Sequence, residues 1–263
     1  MELLRQIQLK ELSALEELRR VCEGNNIRYY LAQGTLLGAA REGKFIPWDD
    51  DIDVLIPYSD LLRLMEVFPQ EAKSGYKLTN HTIEEHYPLS WSKIRIAGTL
   101  SRPVRYKEIP VDWGICIDLF PIYPVSDWAL LRKAEVFFFK AARKLLLSEM
   151  TQYDGPGRPL LVKVLEKVPL ALRRRVMDTA IRLLARHEEN TRWTYLTCKG
   201  GWLVKREMIY GKPRQLPFEG QDYPVPADYD GFLKMEYGDY MTPPPAQERG
   251  GHDLRMGDIE WKV

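Results

Sequence analysis

The sequence predicts an α+β fold, in which a mixed central sheet is flanked by helices and carries a helical insert. Up to about residue 125, segments of helical periodicity alternate with short runs rich in β-branched and aromatic residues. From residue 126 to 192 the periodicity is mainly helical. The chain has 263 residues, 45% of them hydrophobic, which is enough to bury a sizeable core. We therefore expect a core domain at 1–125, a helical subdomain at 126–192, and a C-terminal part at 193–263 that completes the core.

The N-terminal segment is predicted to form an amphipathic helix that stops at Gly24 and Asn25. Its apolar residues recur at helical spacing: Leu4, Ile7, Leu12, Leu15, Leu18 and Cys22. The run 27–32 is rich in β-formers and predicts the first strand. "GTLLGAAR" follows at once, and we expect Thr35 to cap a short helix there.

Three further strands are predicted in the first half of the chain. "DIDVLI" forms the strand 51–56, which Pro57 ends. Ser59 or Asp60 is expected to cap a helix that runs to about Phe68, before Pro69. Two more β-forming runs, around 93–97 and 115–120, supply the other strands.

The second half is predicted to be helical first and rich in turns afterwards. A long helix begins near Ser126, "YDGPGRP" is a loop, and two helices follow at 160–168 and 170–189. The long helix carries "FFFKAARK"; packing of this stripe on a core is favoured, and contact with a membrane surface is the alternative. Beyond 193 the chain is expected to be strand-poor, with a helix at 227–237 that stops at Gly238.

Composition excludes several classes of protein. The chain has 38 basic and 37 acidic residues, which argues against a nucleic-acid partner bound by bulk charge. The cysteines Cys22, Cys116 and Cys198 form no CxxC pair, so we expect free thiols rather than a zinc knuckle or a disulfide framework. The N-terminus lacks the pattern of a signal peptide, and no run reaches about 20 apolar residues. We expect a cytoplasmic protein, and peripheral contact with the inner face of a membrane stays open.

The most informative stretch crowds four aspartates into five positions directly before an apolar run: Asp49, Asp50, Asp51 and Asp53. Side chains two apart in a strand point to the same side, so Asp51 and Asp53 should aim together. Paired carboxylates repel unless a divalent cation lies between them, and Mg²⁺ prefers such oxygen ligands. "CIDLF" supplies a third carboxylate, Asp118. The alternative is a solvated turn or a calcium loop, although the spacing does not match an EF-hand.

A glycine-containing turn precedes the aspartates. "QGTLLG" places Gly34 and Gly38 around a strand-to-helix junction, where backbone N–H groups can hold a phosphate. A phosphate cradle followed by a metal platform suits phosphoryl or nucleotidyl transfer.

These motifs resemble the LicD family, which includes bacterial phosphocholine transferases and, more distantly, fukutin-type phosphoribitol transferases. The resemblance rests on "GTLLGAAREGKFIPWDDDIDV", "ICIDLFPIYP", "FEGQDYPVPADYDGFLKMEYGDYMTPPP" and "QERGGH", and it spans roughly residues 30–252. Many members have a histidine after the arginine of the first motif, whereas this chain has Glu42.

The resemblance implies a nucleotidyltransferase-like core, with Gly34 and Thr35 as the phosphate turn. Asp51 and Asp53 would be catalytic ligands of Mg²⁺ or Mn²⁺, and Asp118 a further ligand or the base for the acceptor hydroxyl. The implied reaction transfers phosphocholine from CDP-choline to a cell-surface glycan or glycolipid, such as lipopolysaccharide or teichoic acid, and releases CMP. The alternatives are another CDP-alcohol (ribitol or glycerol), nucleotidyl transfer to a small acceptor, and a catalytically inactive glycan-binding protein.

The remaining candidates are substrate contacts. Arg41 and Lys44 could neutralise phosphate or pair with Asp49 or Asp50, and Asp50 itself is a candidate substrate contact. Lys93 and Arg95 share one strand face and are candidates for phosphate binding.

Aromatic and C-terminal residues complete the set of candidates. Trp48, Trp113 and Tyr106 could surround a choline ammonium by cation–π contact, although packing is the more common role of such residues. Arg249 and His252 lie in the C-terminal motif and could close over the substrate.

Overall fold

A computed structural model describes residues 3–104, 108–151, 160–165, 167–186, 189–196, 201–245 and 259–263 of the chain, and it confirms the α+β class. The helices are α1 (Leu3–Gly24), α2 (Gln33–Glu42), α3 (Tyr58–Glu71), α4 (Ala129–Thr151), α5 (Leu160–Leu165), α6 (Leu170–Leu184), α7 (Arg206–Tyr210) and α8 (Tyr229–Tyr237). The strands are β1 (Tyr30–Leu31), β2 (Asp53–Pro57), β3 (Tyr76–Thr79), β4 (Ser92–Ile96), β5 (Leu100–Pro103), β6 (Cys116–Val125), β7 (Arg192–Leu196), β8 (Gly201–Lys205), β9 (Arg214–Phe218), β10 (Gln221–Val225) and β11 (Ile259–Lys262).

The central sheet is mixed and has seven strands. Its main path runs β1-β2-β6-β4-β3, and β2 and β6 are its parallel pair. Strand β4 pairs with the first half of β6, and β7 pairs antiparallel with the second half and carries β8 at its outer edge. The long strand β6 therefore organises the sheet, and it brings the starts of β2 and β6 side by side.

Helix α1 confirms the amphipathic prediction, because its apolar stripe is buried against β4, β6 and α3. The core that it covers includes strand residues with no exposed surface: Val54, Leu55, Ile94, Ile117 and Leu119.

Two predicted helix caps are wrong. Helix α2 begins at Gln33 with Ala32 at its N-cap, so Thr35 lies inside the helix and caps nothing. Its Oγ1 instead accepts a hydrogen bond from the Asp53 backbone N–H at 2.9 Å, which ties α2 to the start of β2. Helix α3 begins at Tyr58, directly after Pro57, and Asp60 pairs with Arg28 instead of acting as the cap.

The C-terminal part is not strand-poor, contrary to the prediction. Strands β9 and β10 form a hairpin whose turn is Glu219 and Gly220, both with positive φ (49° and 84°). Two successive residues with positive φ are typical of a tight hairpin, but glutamate rarely adopts a positive φ. Glu219 therefore does not identify the turn in the sequence. Strand β11 pairs with β5, far away in sequence.

The predicted helical insert is present between β6 and β7. Helices α4 and α6 pack against each other over a second small core, which contains Phe139, Leu146, Met177 and Leu184 and rests on Tyr123 of β6. The predicted domain boundaries stay a prediction. Within the described residues, no helix is long and apolar enough to cross a membrane.

Candidate active site

Three neighbouring strands each place one charged side chain in a single row. Asp53 at the start of β2 is the register partner of Asp118 in β6, and Asp118 is the register partner of Lys93 in β4. Register partners lie on the same face of a sheet, with strands about 4.8 Å apart. Lys93 Nζ forms an ion pair with Asp118 Oδ1. The predicted phosphate contact Lys93 therefore neutralises one carboxylate of the row in this structure.

The other aspartates lie in the loop that enters β2. Carboxylate oxygens of Asp49, Asp50 and Asp51 all lie within 4.8 Å of one another. The strand begins at Asp53, two residues later than predicted, so strand alternation does not position Asp51. Asp51 and Asp53 nevertheless line the same cavity, as the sequence indicated. We refer to Asp49, Asp50, Asp51 and Asp53 as the acidic cluster.

Burial makes this charge density costly. Burial raises the pKa of the Asp53 carboxyl well above its usual value, and the charges of Asp51, Asp118 and Asp49 raise it further, against a smaller opposing effect of Lys93. Such a carboxylate is stabilised in its charged form by a bound cation. The chemistry of this donor set, four carboxylate side chains within five positions, fits Mg²⁺ or Mn²⁺.

Glu11 is a buried carboxyl group, electrostatically coupled to the acidic cluster, that the sequence did not lead us to expect. It is 4% exposed in α1, and its pKa is raised well above the usual value by burial and then by Asp51 and Cys116. A signal was available, because Glu11 stands four residues from both Ile7 and Leu15 and so falls on the buried stripe of the helix. A carboxylate on that stripe points to a polar site beneath the helix.

Gly34 allows the acidic loop to approach the first turn of α2. A Cβ at Gly34 would stand 2.5 Å from Asp49 Oδ2, so any larger residue would displace that carboxylate. In this structure the predicted phosphate turn is thus adjacent to an aspartate. The amide of Gln8 in α1 holds the same loop by donating a hydrogen bond to the Asp49 carbonyl at 2.9 Å.

The acidic cluster opens into a cavity of about 290 Å³, which we term the site cavity. Its lining residues come from α2, from the acidic loop and the start of β2, and from the end of α8 and the segment after it: Gln33, Gly34, Leu37, Arg41, Ile46, Trp48, Asp49, Asp51, Asp53, Tyr237, Asp239, Tyr240, Thr242 and Pro244. The predicted contacts Arg41 and Trp48 are therefore part of it. Arg41 also pairs with Glu42 at 3.0 Å, at the position where the chain departs from the usual motif.

The cavity residues Tyr237, Asp239, Tyr240, Thr242 and Pro244 were not singled out as site residues. They lie at the end of α8 and directly after it, and the N-cap Asp228 of this helix accepts a hydrogen bond from the Gly231 N–H. Helix α8 packs against α2 and so delivers Tyr237 and Tyr240 to the cavity. In the sequence, the only indication that these residues lie near the site was that their segment resembles the C-terminal motif of the family.

A second cavity of about 200 Å³ lies on the β4 side of the row. Lys93, Arg95 and Trp113 line it, so these predicted contacts are separated from Trp48 and Arg41. A wider groove of about 700 Å³ around Arg192, Arg206 and Tyr210 contains none of the aspartates. The predicted residues Tyr106, Arg249 and His252 lie outside the described residues.

The fold and the site define an α+β protein with a carboxylate-rich cavity at the edge of a mixed sheet. The family model described as LicD/FKTN/FKRP, nucleotidyltransferase domain, matches residues 26–144, which include β2, the acidic cluster and Asp118. Residues 26–144 of the chain, a little under half of it, thus match the LicD family.

Three named relatives are enzymes that transfer a phosphorylated alcohol. The lipopolysaccharide cholinephosphotransferase LicD of Haemophilus influenzae is 27% identical over an alignment of 267 residues, which covers 97% of this chain and 98% of that protein. The ribitol 5-phosphate transferases FKRP of Mus musculus and Homo sapiens are each 35% identical over 117 residues, 43% of this chain and 21% of theirs. The named relatives that align with this chain are thus phosphotransferases.

Proposed function

We propose that the protein transfers phosphocholine from CDP-choline to a hydroxyl of a cell-surface glycan or glycolipid and releases CMP. The observation that carries this proposal is the row of Asp53 and Asp118 in register beside the acidic cluster and the Gly34 turn. The choice of choline rests on the Haemophilus relative, which aligns over nearly its whole length and is named as a cholinephosphotransferase. The two FKRP relatives support the coarser activity, transfer of a phospho-alcohol.

A divalent cation, Mg²⁺ or Mn²⁺, belongs to this proposal. Asp51 and Asp53 would hold it, with Asp49 and Asp50 close enough to contribute. When bound, such an ion neutralises the charge of the diphosphate and of the group in transfer. Asp118 would contact the ion or accept the proton of the acceptor hydroxyl, and Lys93 keeps that carboxylate in place through their ion pair.

The site cavity suits a cationic alcohol head group. Its aromatic residues Trp48, Tyr237 and Tyr240 line the same space as Asp49 and Asp239, so aromatic side chains and negative charge occur together there. A cation–π contact is worth about 0.5–2 kcal/mol, which corresponds to a preference of about 2- to 30-fold for choline over a neutral alcohol.

The test of the head group is CMP release from CDP-choline, CDP-ethanolamine, CDP-glycerol and CDP-ribitol at equal concentration, with a permissive glycan acceptor. We expect CDP-choline to be used best, by about 2- to 30-fold over the neutral alcohols. Preferred use of CDP-ribitol or CDP-glycerol would overturn the choline assignment and leave the transfer chemistry standing. Pyrophosphate release from a nucleoside triphosphate, with no CMP from any CDP-alcohol, would indicate a nucleotidyltransferase instead.

The outer face of α4 supports peripheral contact with an anionic membrane. Phe139 on its inner face is buried, whereas Phe137 on the outer face is 74% exposed, and Trp128, directly before the helix, is 67% exposed. Residues 128–186 carry thirteen basic and five acidic side chains, although the whole chain is nearly balanced. An apolar face with surrounding lysines and arginines is typical of helices that bind anionic lipid surfaces.

Cosedimentation with lipid vesicles tests this contact. We expect binding to vesicles that contain anionic phospholipid, little binding to zwitterionic vesicles, and a large loss of binding for Phe137→Asp. The matched control is Leu62→Asp, which changes a 43% exposed leucine on α3. Equal binding of Phe137→Asp and the wild type would contradict the proposed membrane face.

A further inference from the structure

We propose that the second cavity binds the pyrimidine ring of the nucleotide donor, with Arg95 as the residue that recognises the base. This inference rests on the proposed function, because it assigns the part of the donor that the acidic cluster does not explain. We term the space the Arg95 cavity.

The Arg95 cavity has apolar walls and a polar floor. Its walls include the side chains of Tyr87, Leu89 and Trp113, and its floor is formed by Lys93 and Arg95 from β4 together with Cys116 from β6. A space of about 200 Å³ between aromatic and aliphatic side chains suits a flat heterocycle. A phosphate would leave these walls without a suitable partner.

Arg95 is a buried cation with unused donors. It is 3% exposed, and its Nε and Nη1 have no hydrogen-bond partner among the described residues. The hydroxyl of Tyr87, with no exposed surface, also lacks a partner within the described part of the chain. Buried donors without acceptors are costly, and a conventional structural role would supply the acceptors. Both side chains line the cavity, so a ligand placed there would satisfy them.

The donors specify what the ligand must present. Arg95 and Lys93 offer N–H donors only, and the Tyr87 hydroxyl can donate as well. A pyrimidine presents a ring carbonyl, and cytosine adds the N3 lone pair, so its acceptors match these groups. A quaternary ammonium does not fit, because the Arg95 guanidinium already lies 5.6 Å from the Tyr87 ring centroid and 6.0 Å from that of Trp113. The structure thus argues against the choline role considered for Trp113.

The position of the cavity agrees with the length of a nucleotide. Cys116 lies two residues before Asp118 on the same face of β6, about 6.6 Å along the strand. Lys93 joins the two regions, since it pairs with Asp118 and also lines the cavity. A diphosphate at the acidic cluster would therefore direct its ribose past Lys93 and its base towards Arg95.

Calorimetry with CMP and with ribose 5-phosphate, which lacks the base, tests the assignment in the full-length protein. We expect the wild type to bind CMP at least about tenfold more tightly than ribose 5-phosphate. Arg95→Met should weaken CMP binding by about 10- to 100-fold and leave ribose 5-phosphate binding unchanged, because a charged hydrogen bond to the base is lost. The matched control is Lys77→Met, the exposed register partner of Arg95 in β3, which should change neither affinity.

Tyr87→Phe keeps the ring and removes only the hydroxyl, so it serves if Arg95→Met fails to fold. It should weaken CMP binding by about 2- to 12-fold without changing ribose 5-phosphate binding. Equal losses for both ligands, unchanged CMP binding in a folded variant, or no CMP binding by the wild type would overturn the proposal. If CDP-choline is turned over while Arg95→Met binds CMP normally, the cavity assignment alone fails. If CMP binding depends on Arg95 but no CDP-alcohol releases CMP, the proposed transfer alone fails.

Discussion

Replacing Asp53 by asparagine is expected to abolish transfer and, in metal-free protein, to raise the thermal midpoint. Asparagine keeps the size of the side chain and can still form hydrogen bonds. It removes the negative charge that the Asp53 carboxylate contributes to the acidic cluster and to a bound cation. We expect turnover to fall by at least about 100-fold, as is usual when a charge aimed at the reacting group is lost. The measurement is CMP release from CDP-choline with Mg²⁺ and acceptor.

The stability effect of Asp53→Asn depends on pH with a defined sign. Burial and the neighbouring aspartates raise the Asp53 pKa in the folded protein. The stability contributed by its proton is fully present below the unfolded pKa and is lost as pH rises through the folded pKa. At pH 8, far above the unfolded pKa, the wild type without metal has lost part or all of this stability, whereas the asparagine variant has no such proton to lose. One pKa unit corresponds to about 1.4 kcal/mol, so we expect a rise of at least about 2–4 °C at pH 8 and almost none at pH 4.

The matched control for this experiment is Asp222→Asn, which changes an exposed aspartate in the β9–β10 hairpin. It should alter neither turnover nor the thermal midpoint. Adding Mg²⁺ should raise the midpoint of the wild type and of the control but not that of Asp53→Asn. A variant with near-native turnover, or one destabilised equally at pH 4 and pH 8, would contradict the assignment.

Asp118→Asn is expected to destabilise the protein, although its carboxylate stands next to Asp53. Lys93 explains why Asp118→Asn is expected to destabilise the protein whereas Asp53→Asn is expected to stabilise it without metal. Burial lowers the Lys93 pKa, but Asp118, Cys116 and Tyr87 outweigh burial and hold that pKa well above its usual value. Removing Asp118 leaves the ammonium buried without its counterion, which costs about 3–5 kcal/mol for a fully buried pair. The Lys93 and Asp118 side chains are 17% and 15% exposed, so water screens part of the charge.

We therefore expect the low end of that range, about 3 kcal/mol, or a fall of about 6–12 °C in the thermal midpoint. A raised lysine pKa contributes stability that is fully present below the unfolded pKa and is lost only as pH rises through the folded pKa. The loss should consequently be the same at pH 6 and pH 8, unlike the Asp53 effect. The double variant Asp118→Asn with Lys93→Met should recover much of the midpoint but no activity. Thermal unfolding that shows no loss for Asp118→Asn would contradict the ion pair.

The sequence predicted the elements whose pattern is local. The stripe of α1 and the apolar runs of β2 and β6 are set by residues close together in the chain, so periodicity was sufficient. Asp53 and Asp118 were found because each interrupts an apolar strand. Their register, which places them side by side, depends on pairing across 65 positions of sequence and could only be assumed.

Other features are decided by tertiary contacts. Thr35 is a residue type that often caps helices. Here its hydroxyl accepts a hydrogen bond from the Asp53 N–H instead, because α2 packs against the start of β2. The hairpin at Glu219 is stabilised by contacts of that residue with Arg5 at 2.7 Å and with the Phe45 N–H, which offset its unusual backbone. The Arg95 cavity requires Tyr87 and Trp113 to meet over β4, and no local pattern predicts that meeting.

We propose that the acidic cluster holds a divalent cation and that the transfer of phosphocholine requires this ion. The most direct measurement is CMP release from CDP-choline, with acceptor, in protein stripped of metal and then titrated with Mg²⁺ or Mn²⁺. We predict no release without metal, saturable recovery on titration in the wild type and in Asp222→Asn, and no recovery in Asp53→Asn. Undiminished CMP release in the presence of a chelator, or equal recovery in Asp53→Asn, would contradict a metal ion held by the acidic cluster.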